Sequence, residues 1–500
     1  MRAHSLGSVA GLLAVATALL LGAWLFSTFP YQAPDEASHY LRALSITNGQ
    51  LLGPKVPYTQ PAAITMQLRR WMSGNTRAVE VPPNLSPSVM FCANDHHPDT
   101  RPPGCVEQSY TGNYPPLPYL LPAAALAVSN DATGALWLGR VASALPCLLL
   151  IALAFMFAAR GGLWPLFGVA VALTPMTLFL GSVISPHGLQ IAASLAFAAG
   201  LLRIAREPGT VSTVEAGAIA VIGAIVVLAW QLGPVFAVCD LALAAALLDR
   251  RRVDELRGRR FVVGGIAAAL GVALPLYVIW ALVSGSSHGG LMMRFGHNLT
   301  AAWGQLSLAL HQSIGSFGAN TVPLPRLLFV AWLVVALAGG VAALVVSPWR
   351  LRLVAVAAPV LVLLVGFLLY AFLLINTGTT LQGRLALPLI ALPPLVWGEL
   401  LGRARHGVAV GWRGVLVRRL WPFGAAGIAA TAVLQCWAWW TNARFNANPS
   451  HAFWFLSNPA WSPPLGWPLW TVAALLGGLL LIVVAGLATR REAGSGAAVA

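Results

Sequence analysis

Two adjacent carboxylates, Asp35 and Glu36, stand in the stretch YQAPDEASHYLR, directly after the first long apolar segment of the chain. Adjacent carboxylates repel each other, which raises one of the two pKa values. At a membrane boundary such a pair suits a general base or a ligand for a divalent cation. His39 and Arg42 follow at spacings of four and three residues, so they share a helix face with Asp35.

The alternative is that these residues only begin a helix. Pro34 with acidic residues beside it is common in a first helical turn, and the spacing predicts an amphipathic helix through Asn48. Both interpretations can hold together, because a helix start at the membrane surface also fixes the carboxylates in place. From spacing alone, the helix start is favoured.

The composition of the chain indicates a multi-pass membrane protein. Of its 500 residues, 58% are hydrophobic and 9% are charged, against about 25% charged in a soluble domain. The net charge of +15 comes from arginine, since Lys55 is the only lysine. The arginines lie in short runs between apolar blocks, so they indicate membrane orientation and not a nucleic-acid partner.

A spanning helix needs about twenty apolar residues, and on that basis we predict about twelve transmembrane helices in one all-α domain over residues 1–500. The basic start and long apolar run of the N-terminus predict an uncleaved first helix. Every second loop is basic, which predicts that both termini are cytoplasmic. We expect the protein in the plasma membrane, with residues 490–500 as a disordered cytoplasmic tail. The predicted spans are 7–29, 135–159, 164–183, 187–205, 214–232, 234–249, 261–284, 325–346, 352–375, 385–401, 421–440 and 467–489.

Three longer segments then face the outside: 30–134, 285–324 and 441–466. The first is rich in proline and polar residues, and its apolar end is about fifteen residues long, which suits a short interfacial helix. Within the second, apolar residues from Leu299 to Ile314 recur at spacings of three and four, which predicts an amphipathic helix on the membrane surface.

The first outer segment also holds two of the five cysteines, Cys92 and Cys105. If the segment is extracytoplasmic, these two can form a disulfide. A zinc site that adds His96 and His97 is the alternative, but no CxxC spacing supports it.

Five blocks of the sequence together resemble a bacterial family of multi-pass membrane proteins of unknown function that is grouped with the GT-C glycosyltransferases. The resemblance implies a GT-C-like fold that transfers a sugar from a polyprenyl-phosphate donor to an envelope glycan or glycolipid on the outer face. It also implies an acid in the first outer loop that acts as base or metal ligand, a role that falls to Asp35 with Glu36 beside it. The blocks are APDEASHYLRALSITNGQL, NYPPLPYLL, LWLGRVASAL, TPMTLFLGSVISPHGL and LQGRLALPLI.

The leaving phosphate of such a reaction needs a cation, either a divalent metal ion or arginine. Arg384 is our first choice, because it lies at the outer end of the tenth predicted span and Gly383 allows close backbone approach. Its alternative is an arginine that extends to the lipid headgroups. Arg42 is a weaker choice, as is Arg140, which could instead pair with an acid such as Asp131.

Three further residues are substrate-binding candidates: His39, on the same predicted helix face as Asp35, Tyr114 and His187. Tyr114, in the proline-aromatic block, could line a sugar or lipid groove, although interfacial aromatic residues are common anchors. His187 stands in a turn where relatives often carry an acid, and this departure weakens the case for a second carboxylate or a metal there.

Two other functions compete with sugar transfer. A transporter or lipid flippase usually has ionisable residues near the middle of the membrane, and here Asp240 is the one acid that fits. A non-catalytic envelope-assembly protein could keep the same fold, because fold alone does not establish activity.

Overall fold

The computed structural model describes residues 2–58, 66–87, 105–285, 295–371, 382–406, 412–448 and 452–497. Over these residues the protein is mainly helical, with two short antiparallel strand pairs. The helices are α1 (Arg2–Ser27), α2 (Glu36–Thr47), α3 (Met66–Asn75), α4 (Leu120–Ala127), α5 (Ala132–Ala159), α6 (Leu163–Ala172), α7 (Pro175–Gly181), α8 (Pro186–Arg206), α9 (Thr213–Ala229), α10 (Gly233–Ala246), α11 (Arg250–Gly258), α12 (Arg260–Ser284), α13 (Phe295–Ile314), α14 (Arg326–Val346), α15 (Trp349–Leu369), α16 (Gly383–Ile390), α17 (Leu392–His406), α18 (Trp412–Ala447) and α19 (Trp467–Ala497). The strands are β1 (Arg77–Val81), β2 (Cys105–Ser109), β3 (Ser316–Phe317) and β4 (Val322–Pro323).

In the described part of the chain, nine helical segments are long and apolar enough to cross a membrane, or ten if one bent pair counts as a span. Each of the nine overlaps a predicted span. The prediction of a multi-pass helical membrane protein is confirmed, whereas the count of twelve spans stays a prediction. The nine are Gly7–Ser27, Ala132–Ala159, Pro186–Arg206, Arg260–Ser284, Arg326–Val346, Trp349–Leu369, Gly383–Ala404, Val415–Ala447 and Trp467–Arg490.

The other three predicted spans correspond to broken or short helices. Segment 164–183 contains α6 and α7, which meet at an angle of 68°. Thr174 accepts a hydrogen bond from the Thr177 amide and Pro175 follows it, so a helix start lies inside this apolar run. Segments 214–232 and 234–249 contain α9 and α10, which have 17 and 14 residues and are short for a core about 30 Å thick.

The predicted outer segment 30–134 contains strands as well as the expected short helices. β1 pairs with β2 antiparallel, and Val81 lies opposite Cys105. Val79 and Val81 are buried while Glu80 between them is exposed, which is the alternation of a half-buried strand. The sequence predicts only short helices here, so this strand pair corrects the all-helical interpretation of the loop.

α2 is the helix that the DEASHYLR stretch predicts, and it lies between Asp35 and Asn48. It does not lie on the surface with one exposed face, because nine of its twelve residues are buried. The Ser38 hydroxyl is hydrogen-bonded to the hydroxyls of Ser109 and Thr111 at 3.0 and 3.1 Å. α2 also packs against α4, and these contacts hold the residues at its start in position.

Helix packing brings four distant parts of the sequence to one end of the helices. α1 packs against α5 and α19, α5 packs against α8, and α16 packs against α8 and α13. Arg140 lies near the beginning of α5, while His187 and Arg384 lie at the beginnings of α8 and α16. These residues therefore surround the segment that follows α1, where Asp35 stands.

Candidate active site

Asp35 precedes α2 in an unusual backbone conformation. Its φ and ψ of 61° and 10° lie in the left-handed region, and its side chain makes no capping hydrogen bond. Few non-glycine residues adopt this conformation. Asp131, which precedes α5, is extended and accepts hydrogen bonds from the Thr133 and Gly134 amides, both at 2.9 Å. Helix capping therefore explains Asp131 and does not explain Asp35.

The Asp35 carboxylate joins two distant parts of the chain. The Tyr110 hydroxyl donates to Asp35 Oδ1 at 2.7 Å, and Arg384 Nη2 donates to Oδ2 at 2.5 Å. The Asp35 side chain keeps 34% of its exposure, while that of Arg384 keeps 6%. The carboxylate is thus partly buried and partly exposed, and the guanidinium is enclosed beside it and does not extend to lipid headgroups.

Arg384 has hydrogen-bonding capacity that the described residues do not use. Its Nε and Nη1 are buried and have no hydrogen-bond partner in the described part of the chain. Buried charged donors without a partner are costly, and an anionic oxygen would satisfy them. A Cβ at Gly383 would collide with the backbone of α13 at Ala309 and Ser313, so glycine lets α16 begin close to α13 and places Arg384 at depth.

Two imidazoles lie next to this ion pair. His39 Nδ1 is hydrogen-bonded to the Tyr119 hydroxyl at 2.8 Å, and its buried Nε2 has no partner among the described residues. The His187 ring faces the His39 ring with centroids 6.4 Å apart and contacts the Trp230 ring at 4.7 Å. The histidines form one side of the site, and one unpaired ring nitrogen is free to bind a polar group.

The charge states follow from burial and from the neighbouring ions. Burial raises the pKa of Asp35, but the Arg384 guanidinium and the hydrogen bond from Tyr110 outweigh it, and the pKa lies below its ordinary value. Burial lowers the pKa of His39 to about 4. Burial and the charge of Asp35 raise the pKa of Tyr110 well above its ordinary value. At neutral pH the site therefore holds an ionised carboxylate, a guanidinium, a neutral imidazole and a protonated phenol.

All of these residues lie in the part of the chain that a family profile recognises. The profile described as "Predicted membrane protein (DUF2142)" matches residues 18–392. The chain belongs to the DUF2142 family. This match confirms the resemblance to a family of multi-pass membrane proteins of unknown function.

Among solved structures, this DUF2142 protein is similar to ArnT from Cupriavidus metallidurans, whose crystal structure is bound to undecaprenyl phosphate. The TM-score is 0.42 and the identity 14%, over 97% of this chain and 78% of that chain. No functionally curated protein gives a significant match to the sequence. The chemistry of this DUF2142 protein has therefore to be inferred from its own side chains.

Glu36, adjacent to Asp35 in sequence, has a different environment. Arg140 Nε and Nη2 donate to its two carboxylate oxygens at 2.7 and 2.6 Å, and both side chains are fully buried. The Ile184 amide adds a third hydrogen bond at 3.3 Å. The alternative for Arg140 was pairing with an acid such as Asp131. Arg140 does pair with an acid, but that acid is Glu36, and the pairing engages both oxygens of a carboxylate that was a catalytic candidate.

Arg42 and Tyr114 lie behind the ion pair and contact each other. Arg42 Nε and Nη2 donate to the Tyr114 carbonyl oxygen at 3.2 and 2.9 Å. The Arg42 guanidinium also lies 5.8 Å from the Tyr119 ring and 5.7 Å from the Trp280 ring. Burial lowers the pKa of Arg42 to about 10, so it stays charged at neutral pH. Arg42 holds the NYPPLPY segment, and this segment places the Tyr114 ring 5.9 Å from the His39 ring.

The carboxylates do not converge to form a divalent-cation site. Glu36 is bound to Arg140, so Asp35 is left as a single carboxylate. In the part of the chain that the structure describes, no three His, Cys, Asp or Glu side chains are grouped to hold a metal ion. The donor set that the family resemblance suggested therefore does not fit a divalent metal, and the cation that this site offers to an anion is Arg384.

Only one of the two cysteines of the predicted disulfide lies in the described residues. Cys105 is disulfide-bonded, and the other cysteines of the described segments are free. Cys92 lies outside the described residues, as do His96 and His97 of the zinc alternative. The Cys92–Cys105 pair therefore stays a prediction.

Sequence reasoning missed two residues of the site, Tyr110 and Trp230. Tyr110 stands four residues before Tyr114 in the same aromatic stretch, which is a weak indication that it belongs to the site. Its contact with Asp35 spans 75 residues and depends on β2 ending beside the start of α2. Trp230 directly follows α9 and reaches His187 only because α9 packs against α8.

The two adjacent acids should differ in their effect on stability. Glu36→Gln removes one partner of a fully buried ion pair, which costs about 3–5 kcal/mol. We expect a large drop in apparent Tm in detergent for Glu36→Gln and for Arg140→Gln, and a smaller drop for Asp35→Asn, because the Asp35 side chain is about one-third exposed. The double variant Glu36→Gln/Arg140→Gln should recover part of the loss, because no buried charge is left unpaired. Wild-type stability of Glu36→Gln would contradict the assignment.

Proposed function

We propose that this protein is a membrane glycosyltransferase that moves a sugar from a polyprenyl-phosphate donor to a hydroxyl group of an envelope glycan or glycolipid. The observation that carries the proposal is the buried Arg384, whose Nε and Nη1 have no hydrogen-bond partner among the described residues, beside the partly exposed carboxylate of Asp35. A phosphate group and a hydroxyl group are the two substrates that such a pair suits, because a guanidinium binds phosphate and a carboxylate accepts a proton.

When the donor binds, its phosphate group competes with the Asp35 carboxylate for Arg384. A phosphate oxygen takes hydrogen bonds from Nε and Nη1, and its negative charge weakens the attraction between Arg384 and Asp35. The attraction of Arg384 lowers the pKa of Asp35, whereas burial raises it. When the guanidinium turns to the phosphate, the effect of burial remains, so the pKa of Asp35 rises and the carboxylate becomes a stronger base.

The transfer step is then an inverting displacement. The acceptor oxygen forms a bond to the anomeric carbon of the sugar while the bond from that carbon to the donor phosphate oxygen breaks. The phosphate leaves with the bonding electron pair, and Arg384 stabilises its added charge. Asp35 takes the proton of the acceptor hydroxyl. The neutral His39, through the Nε2 that has no partner among the described residues, is placed to form a hydrogen bond with a substrate hydroxyl and orient it.

The site belongs to the outer face of the plasma membrane in this proposal, and both termini are cytoplasmic. The support is charge distribution: arginine runs such as DRRRVDELRGRR lie between α10 and α12, at the other end of the helices from Asp35. Clusters of this kind mark the cytoplasmic side in multi-pass proteins. A donor on a long prenyl chain would then reach Arg384 from the outer half of the bilayer.

One observation favours a transporter as the second candidate. Asp240 in α10 is buried, and neither of its carboxylate oxygens has a hydrogen-bond partner among the described residues. Unpaired acids within membrane helices often bind protons or ions during transport. If the protein transfers sugar, the essential acid is Asp35. If it is a transporter, the essential acid is Asp240.

The two functions can be separated with matched substitutions. Purified protein in liposomes is given radiolabelled polyprenyl-phosphate sugars and envelope acceptors, and transfer to the acceptor is measured. Asp35→Asn should reduce the rate about 10²–10⁴-fold, as loss of a general base does, and Arg384→Gln about 10²–10³-fold. Asp240→Asn should retain transfer. If only Asp240→Asn reduces activity, or if labelled sugar crosses the vesicle membrane without transfer, the transporter is favoured.

The pH dependence should differ between free protein and donor complex. The acid limb of kcat/KM reports the free protein, in which the pKa of Asp35 is below its ordinary value. The acid limb of kcat reports the complex, in which phosphate shares Arg384, so it should lie at higher pH. In Arg384→Gln the kcat/KM limb should move to higher pH, because the lowering charge is gone. Coincident limbs in wild type would exclude the exchange of Arg384 between carboxylate and phosphate.

A further inference from the structure

A second polar cavity lies away from the Asp35 site. Its volume is about 570 Å³. It is bounded by the ends of α5 and α8 and by parts of α11, α15 and α17. Two acids, Glu207 and Asp249, belong to its lining, and arginines outnumber them. The arginines are Arg160, Arg206, Arg252, Arg350 and Arg403.

Three helical segments connect the two sites, and the lengths of these segments give the distance between the sites. Each begins with a residue at or beside the Asp35 site and ends with an arginine of the cavity, 19 or 20 residues later. At a rise of about 1.5 Å per residue, this spacing corresponds to about 30 Å, the thickness of the hydrocarbon core. The two sites therefore open at opposite faces of the membrane. The connected pairs are Arg140 and Arg160, His187 and Arg206, and Arg384 and Arg403.

A buried carboxylate organises the inner wall of this cavity. Arg403 Nε donates to Glu399 Oε1 at 2.8 Å, and Arg206 Nε donates to the same oxygen at 3.0 Å. Arg206 Nη2 also contacts Glu399 Oε2. A Cβ at Gly161 would overlap the Arg206 guanidinium, so glycine there lets the guanidinium lie against the backbone. One carboxylate thus fixes two guanidinium groups, and it can balance only one of their charges.

The two guanidinium groups keep unused donors. Arg206 Nη1 and Arg403 Nη2 are buried and have no hydrogen-bond partner among the residues that the structure describes. At the rim, Arg252 is paired with Asp249 at 2.6 Å, while Arg350 is exposed. The cavity thus combines excess positive charge, preformed geometry and buried donors, which together fit the oxygens of a phosphate group.

We propose that this cavity binds a phosphate group, either on an anionic phospholipid headgroup or on a small soluble phosphate. Arginine forks match the oxygen geometry of phosphate, and basic pockets between membrane helices bind lipid headgroups. Trp349 belongs to the cavity lining and is 70% exposed, which is typical of a side chain at the membrane interface. This site is separate from the proposed transfer site and does not depend on sugar transfer.

Binding can be measured with the full chain and defined probes. The protein is placed in nanodiscs of phosphatidylcholine with or without phosphatidylglycerol, and lipid retention is measured by native mass spectrometry at fixed ionic strength. Inorganic phosphate is titrated in a separate arm against Trp fluorescence. Retention of phosphatidylglycerol with no response to phosphate identifies the lipid source, and saturable binding of phosphate alone identifies the soluble source. Both results support the phosphate site, whereas no preference in either arm overturns it.

Two substitutions assign the binding to the cavity. Arg350→Ala should weaken binding about three- to tenfold, since one charge-assisted contact is lost. Gly161→Ala should also weaken it, because the Arg206 guanidinium is displaced while every charge is kept. The control is Arg251→Ala, which removes an exposed arginine of α11 that lies outside the cavity lining. Equal binding by wild type and both cavity variants, or an equal loss in the control, would show that the cavity is not the site.

Discussion

The guanidinium of Arg140 donates to both oxygens of Glu36 and, with its remaining hydrogens, to the carbonyl oxygens of Leu25, Thr28 and Phe29. One side chain of α5 therefore fixes the end of α1 and the start of α2 in a fully buried position. Leaving a buried charge unpaired is costly. The pair between Glu36 and Arg140 therefore holds the backbone between α1 and α2 in one position. The geometry of Asp35 depends on that constraint.

Because Glu36 is buried against Arg140, Asp35 takes the left-handed conformation and its carboxylate contacts Tyr110 and Arg384 instead. It is the working acid of the proposed reaction because its neighbour is not available. Arg384 then has two possible anionic partners, the carboxylate in the free protein and a phosphate in the donor complex. The depth of Arg384 depends in turn on Gly383, where α16 begins against the backbone of α13.

Much of the site was accessible to sequence reasoning, since the family blocks contained Asp35, His39, His187 and Arg384, and the structure places them together. The sequence could not show which of the two adjacent acids is fully buried and which stays partly exposed, because the Glu36–Arg140 pair joins residues 104 positions apart. The bend between α6 and α7 was missed because the run is apolar throughout, although Thr174 and Pro175 are helix-start residues. The strands β1 and β2 were missed because each is only five residues long and their pairing is not local. The predicted roles of the site residues stay predictions.

The proposed exchange at Arg384 replaces the Asp35 carboxylate with a donor phosphate. It is tested most directly by a cryo-EM structure of the full chain in nanodiscs with a polyprenyl phosphate. We expect the phosphate oxygens within hydrogen-bond distance of Arg384 Nε and Nη1, with the contact between Arg384 and Asp35 broken or lengthened. A phosphate bound elsewhere on this face, with the contact between Arg384 and Asp35 unchanged, would contradict the account.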